Sequence, residues 1–105
     1  MVTFIELLGF SKQRHILLPD DEFQAFQERL IEDPEAGDTI IGTGGFRKIR
    51  WGRPGMGKRG GVRVIYYNVM LKGRIYLALV YPKNELDDLT DEQKKALKKL
   101  SDMLI

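Results

Sequence analysis

An α+β domain, with helices packed on a curved, mostly antiparallel sheet of about four strands, is the fold class this sequence predicts. Three observations carry the prediction. Segments rich in β-branched and aromatic residues fill the middle of the chain, from Phe46 to Tyr81, with turn residues between them. Segments with helix-start signals and helical spacing stand on either side, before Pro34 and after Thr90. The 105 residues, 43% of them hydrophobic, suffice for one modest core, and no repeat or long linker divides 1–105 into more than a single domain.

Met1 to Leu8 reads as a short strand. Ser11 to Leu18 is compatible with a helical turn or a loop. Pro19-Asp20-Asp21-Glu22 starts a helix, with acids where the N-terminal dipole favours them. Phe23, Phe26 and Leu30 form its apolar face to about Glu32, and Asp33-Pro34 stops it. Gly37, Gly42, Gly44 and Gly45 mark turns around a short Thr39-Ile40-Ile41 stretch. Phe46 to Trp51 alternates, Ile49 and Trp51 one way, Lys48 and Arg50 the other. Val62 to Met70 is a β-rich strand, and Arg74 to Tyr81 is apolar enough for a central one. Met70-Leu71-Lys72-Gly73 is the hairpin turn between them. Thr90-Asp91-Glu92-Gln93 is a capping box. It opens a last helix with Leu97, Leu100 and Leu104 on one face, Met103 beside them, and Lys94, Lys95, Lys98 and Lys99 opposite.

The charge is unevenly placed. Thr39 to Asn84 contains no Asp or Glu and ten cations: Arg47, Lys48, Arg50, Arg53, Lys58, Arg59, Arg63, Lys72, Arg74 and Lys83. The other 59 residues set seven Lys or Arg against all 15 carboxylates, so the total of +2 conceals +10 in the middle and −8 outside it. A segregated basic surface is the footprint of a protein that grips a polyanion, nucleic acid first. No apolar run approaches the length of a membrane span. The start carries Glu6 and lacks a basic leader, so it does not read as a signal peptide. With no cysteine there is no disulfide framework or thiolate metal site, and the expected location is cytoplasmic.

Several motifs fail on context. Gly52 to Lys58 has P-loop spacing, but Arg59 stands where Ser or Thr would hold Mg²⁺. Gly55-x-Gly57-x-x-Gly60 has the dinucleotide spacing, but it leads into a strand instead of a helix. It also fits a kinase glycine loop, yet neither a His-Arg-Asp nor an Asp-Phe-Gly motif follows. What survives is a Gly- and Pro-rich loop carrying Arg53, Lys58 and Arg59, suited to closing over phosphates. His15 is the only histidine and reads as a surface residue. The pairs Asp20-Asp21, Asp87-Asp88 and Asp91-Glu92 read as turn and helix-start acids.

The remaining constellation is made of cations. Lys48 and Arg50 share a strand face, Arg63 opens the next strand, and Lys83 and Asn84 end the strand beside it. In a meander such ends converge, so the set can surround one phosphate. Cleavage of RNA by its own 2′-OH needs that proton removed, charge on the phosphorane stabilised, and the leaving oxygen protonated. Arginine suits the phosphorane. Lysine crowded by other cations can move protons. Tyr66, Tyr67, Tyr76, Tyr81 and Trp51 are the rings that could stack a base, although most are expected in the core.

Taken in order, Gly42-Thr43-Gly44-Gly45-Phe46-Arg47-Lys48-Ile49-Arg50, Gly57-Lys58-Arg59-Gly60-Gly61, Val62-Arg63-Val64-Ile65-Tyr66-Tyr67 and Tyr81-Pro82-Lys83-Asn84-Glu85 resemble the RelE/ParE superfamily of toxins, and within it the HigB branch of type II toxin–antitoxin pairs. The likeness runs from about Phe23 to the end and is most specific between Gly42 and Leu89. It implies a RelE-like single domain that acts as a ribosome-dependent, metal-independent mRNA endoribonuclease without a cofactor. It also implies a cognate antitoxin, a helix-turn-helix protein from the same operon. Ribosome and mRNA would be its targets, operator DNA would be met only through the antitoxin complex, and no membrane would be involved. Carried over by position, Lys48 and Arg50 match the two basic residues of the first family strand, Arg63 the arginine on the scissile phosphate, and Lys83 the basic residue after the last strand. Asn84 stands where RelE itself has an arginine. The tyrosine that RelE carries next has no counterpart in Leu86-Asp87-Asp88-Leu89, which shifts proton transfer toward Lys83 and Lys48. Arg47, Arg53, Lys58 and Arg59 are then assigned to the RNA backbone. Two other functions suit the same surface: a non-nuclease, ParE-like inhibitor of DNA gyrase, and a non-catalytic ribosome- or RNA-binding module.

Overall fold

Helices pack on both faces of one sheet, different ones on each. The computed structural model describes residues 1–52, 61–83 and 89–105. Within them the order is β1 (Thr3–Glu6), α1 (Leu8–Leu17), α2 (Asp20–Glu32), β2 (Asp38–Thr39), β3 (Arg47–Trp51), β4 (Val62–Val69), β5 (Arg74–Pro82) and α3 (Asp91–Leu104). The strands form a mixed five-stranded sheet, β1-β5-β4-β3-β2, so the domain is α+β. β2–β3, β3–β4 and β4–β5 pair antiparallel, and β1 pairs parallel with β5.

Three differences from the sequence reading have physical causes. The sheet has five strands, because the Thr39 stretch pairs Asp38 with Lys48 and Thr39 with Arg47 as a two-residue edge strand. The first strand stops at Glu6, and Leu8 already belongs to α1. The ambiguous Ser11–Leu18 segment belongs to that helix up to Leu17, with Leu18 as its C-cap. It lacks a side-chain cap and first-turn acids, and Phe10 is its one fully buried side chain, so it carries almost no local signal. Tertiary contact makes it a helix. A Cβ on Gly9 would stand 2.9 Å from Leu79 Cδ2, so glycine lets α1 lie close against β5.

α2 follows the reading more directly, with Phe23, Phe26 and Leu30 all buried. Arg14 ties it to α1, donating to Asp20 Oδ1 at 2.6 Å and to the Leu18 carbonyl at 3.3 Å, with its guanidinium 4.6 Å from the centre of the Phe23 ring. The Arg14 hydrogen bond and charge hold the Asp20 carboxyl below its ordinary range.

Alternation along the strands divides the core. Ile49, Val64, Tyr66 and Leu77 pack with Phe10 and Phe26 on the α1/α2 side. Phe46, Ile65, Tyr67 and Tyr76 pack with Leu89 and Leu97 on the α3 side. β5 lies between β1 and β4, as its apolar run predicts. Ile65 opposes Leu79 while Tyr66 opposes Leu77, which leaves Ala78 as the extra residue of a bulge. The bulge resets the alternation, so Val80 joins the α1/α2 side and Tyr81 the α3 side. The β4–β5 hairpin closes through a 3-10 turn, Met70–Lys72, with Gly73 at φ +64°.

α3 opens with the predicted capping box: Gln93 N–H donates to Thr90 Oγ1 at 3.1 Å, and Thr90 N–H to Gln93 Oε1 at 2.8 Å. Its buried positions are Leu97 and Ser101, with Leu100 and Leu104 half-buried and Met103 80% exposed. A Cβ on Gly44 would collide with Ser101 Oγ, so the Gly44 turn lies directly on α3 and only glycine fits at position 44.

One polar network in the core aims β2. The Tyr66 hydroxyl donates to the Pro34 carbonyl at 2.8 Å and accepts from Gly37 N–H at 2.9 Å, while Arg47 donates to the Gly37 carbonyl at 2.7 Å. Burial pushes the Tyr66 phenol above its ordinary value near 10. Tyr66→Phe leaves the Gly37 N–H without its acceptor and is expected to cost about 1–3 kcal/mol in urea unfolding. The neutral phenol stabilises the fold below the unfolded-state value, and this contribution is lost as pH rises through the higher folded value. Wild type should therefore lose stability above about pH 10 more steeply than the phenylalanine variant, read as unfolding midpoint against pH.

Candidate functional site

The β3–β4–β5 register builds a basic row across the sheet. Arg50 pairs with Arg63, and Arg63 pairs with Tyr81. One step along, Lys48 pairs with Ile65, and Ile65 with Leu79. Directly opposed residues share a face, with Cβ atoms roughly 5 Å apart, and residues two apart on a strand lie roughly 7 Å apart. Lys48, Arg50 and Arg63 therefore project together from the α3 side of the sheet, opposite Ile49 and Trp51. Arg50 is exposed; Lys48, Arg63 and Tyr81 are half-buried.

Lys83 lies off this row, two residues past Tyr81 and just beyond the end of β5. Its N–H donates to the Gly61 carbonyl at 3.2 Å, which extends the β4–β5 ladder past the Val62–Pro82 pair. Asn84, Arg53, Lys58 and Arg59 lie outside the described residues. Arg47 is not brought to the row. It opposes Tyr66 and donates to the carbonyls of Glu35 and Gly37, so it serves the core network. Tyr66, Tyr67 and Tyr76 are buried as expected, while Trp51 is half-buried against Phe26. His15 is exposed on α1. Among the described residues no group of three His, Cys, Asp or Glu could hold a metal ion. β4 begins at Val62, the strand context that counts against the dinucleotide reading.

Asp38 of β2 stands opposite Lys48, while across from Arg50 stands another cation, Arg63. Among the described residues the ion pairs are Arg14–Asp20 and Lys98–Asp102, and no ion pair or hydrogen bond engages the side chains of Lys48, Arg50 or Arg63. Two like charges directly opposite one another destabilise a sheet. An anion seated between them would offset that repulsion, and guanidinium forks match phosphate oxygens in pairs.

The structure adds two residues that sequence reasoning missed. β2 ends at Thr39 and pairs no farther along β3 than Lys48, so among the described residues the outer edge of β3 from Ile49 to Trp51 has no strand partner. A cleft of about 420 Å³ opens there, lined by Arg29 of α2, Asp38 of β2, and Lys48, Arg50 and Trp51 of β3. Asp38 is the last carboxylate before the acid-free span, the one signal that could have marked it. Arg29 carries none, since it reads as an ordinary exposed helix residue. Compared with models of known protein families, the chain matches none.

Relief of the Arg50–Arg63 repulsion is measurable. Arg50→Gln should raise the urea midpoint by an amount equivalent to about 0.2–1 kcal/mol at low salt. The gain should shrink as salt screens the wild-type pair, which a midpoint series between low and molar salt would show.

Proposed function

We propose that this protein is an RNA-cleaving toxin of the RelE/HigB type, a ribosome-dependent mRNA endoribonuclease that halts translation and is held in check by an antitoxin from the same operon. The observation that carries the reading is the cross-strand opposition of Arg50 and Arg63, with Lys48 beside them and, among the described residues, no ion pair to any of the three. A sheet that tolerates such a repulsion has a use for it, and a phosphate bridging both guanidinium groups is the ligand that fits.

In the proposed reaction the scissile phosphate sits over Arg50 and Arg63. The 2′-oxygen attacks phosphorus and its proton passes to a basic group. Charge accumulates on the non-bridging oxygens, where the two guanidinium groups stabilise it. The P–O5′ bond breaks and the leaving oxygen takes a proton, giving a 2′,3′-cyclic phosphate and a 5′-hydroxyl. Lys48 and Lys83, flanking the arginine row, carry the proton transfers. The arrangement depends on positioned charge, and its members act as a unit, so single substitutions are expected to be non-additive.

Arg63→Glu tests the assignment. Induced expression should no longer arrest growth, and the discrete mRNA cuts seen by primer extension with wild type should fall by at least about 10²-fold. Growth arrest that persists in the variant counts against the role of Arg63. Intact mRNA with DNA damage after wild-type induction would favour gyrase inhibition instead, and salt-sensitive RNA binding without cuts would favour a binding module.

A further inference from the structure

The cleft at the open edge of β3 has no role in the reaction just described, yet it adjoins the reaction's row. Lys48 and Arg50 border both: they project from the α3 side of β3 and also line the cleft around its edge. The cleft therefore lies within reach of a nucleotide whose phosphate sits at Arg50 and Arg63.

The lining has the chemistry of a base reader. The Trp51 indole packs edge-on against Phe26, ring centres 5.5 Å apart at 80°, which fixes it as one wall. Asp38 offers acceptors only and Arg29 donors only. Both side chains are exposed, and neither forms an ion pair or hydrogen bond among the described residues, although Asp38 stands across from Lys48 in the β2–β3 pairing. Guanine alone among the four bases presents two adjacent donors, N1–H and N2–H, together with two adjacent acceptors, O6 and N7. A carboxylate can accept from the first pair, and a guanidinium can donate to the second. Adenine, cytosine and uracil each lack the adjacent donor pair that a carboxylate takes.

We propose that the cleft binds the guanine base of the nucleotide next to the scissile phosphate, with Asp38 accepting from N1–H and N2–H, Arg29 donating to O6 and N7, and Trp51 forming the wall. The assignment rests on the RNA-cleaving reading above and adds a base preference to it.

Trp51 is the only tryptophan, so its fluorescence reports the cleft. The full chain is titrated with the 5′-monophosphates of guanosine, adenosine, cytidine and uridine, as wild type, Asp38→Asn and Arg29→Gln. Guanosine monophosphate is expected to bind wild type at least tenfold more tightly than the other three. That preference should vanish in Asp38→Asn, which keeps the side chain's shape while turning an acceptor into a donor, and should weaken in Arg29→Gln. Circular dichroism confirms that the variants fold; if Asp38→Asn does not, Arg29→Gln decides. An equal response to all four nucleotides, or a guanosine preference that survives both substitutions, overturns the proposal. No cleavage is needed for this readout. Guanosine preference in a protein that leaves mRNA intact would remove the nuclease reading and keep the cleft assignment. Cleavage without guanosine preference would remove only the cleft assignment.

Discussion

The register of β3 against β4 is the constraint on which the rest depends. Ile65 and Tyr66 are neighbours on β4, both fully buried, and they point into different clusters on opposite sides of the sheet. A slip of one residue would exchange the faces, carrying Arg50 toward the α1/α2 core and Ile49 out of it. Burying one large apolar side chain stabilises the fold by about 1.5–3 kcal/mol, and the register secures several at once. The opposition of Arg50 and Arg63 costs at most about 1 kcal/mol. The core therefore wins, and it holds in place a pair of cations that would separate if free to do so.

A second constraint links the core to the edge of the sheet. Tyr66 is buried, yet its hydroxyl serves the backbone of the Pro34–Gly37 segment, and Arg47 serves the same segment from β3. A Cβ on Gly37 would stand 2.9 Å from the Lys48 carbonyl, so glycine permits the close approach. Together these contacts set the short β2 beside Lys48 and stop it there, which leaves the farther edge of β3 open. The cleft and its exposed carboxylate follow from a hydrogen-bond network that itself touches no ligand. Arg47 shows how chemistry and sequence neighbourhood separate: it adjoins Lys48 in the chain but faces the other side of the sheet.

Much of the architecture is legible in the amino-acid order, because the relevant signals are local. Strand alternation places Lys48 and Arg50 opposite Ile49 and Trp51, the capping box starts α3, and the spacing of Phe23, Phe26 and Leu30 marks the buried face of α2. Other features carry no local signal. α1 has a single fully buried side chain and a glycine in its first turn, and its helicity comes from packing on β5. Met103 lies on the predicted apolar side of α3 but stands in solvent, while Ser101 takes the buried place beneath the Gly44 turn.

The sequence by itself determined the fold class, the helices with strong periodicity, and the segregation of positive charge into the strands, since these depend on residue type and on spacings of two to four. Only the tertiary structure decided that Arg50 and Arg63 stand opposite one another, that β1 joins β5 in parallel, and that Arg29 and Asp38 meet β3 at one cleft. Those are relations between residues about ten to seventy positions apart. They are set by register and by close backbone approach, quantities that no single stretch of chain contains.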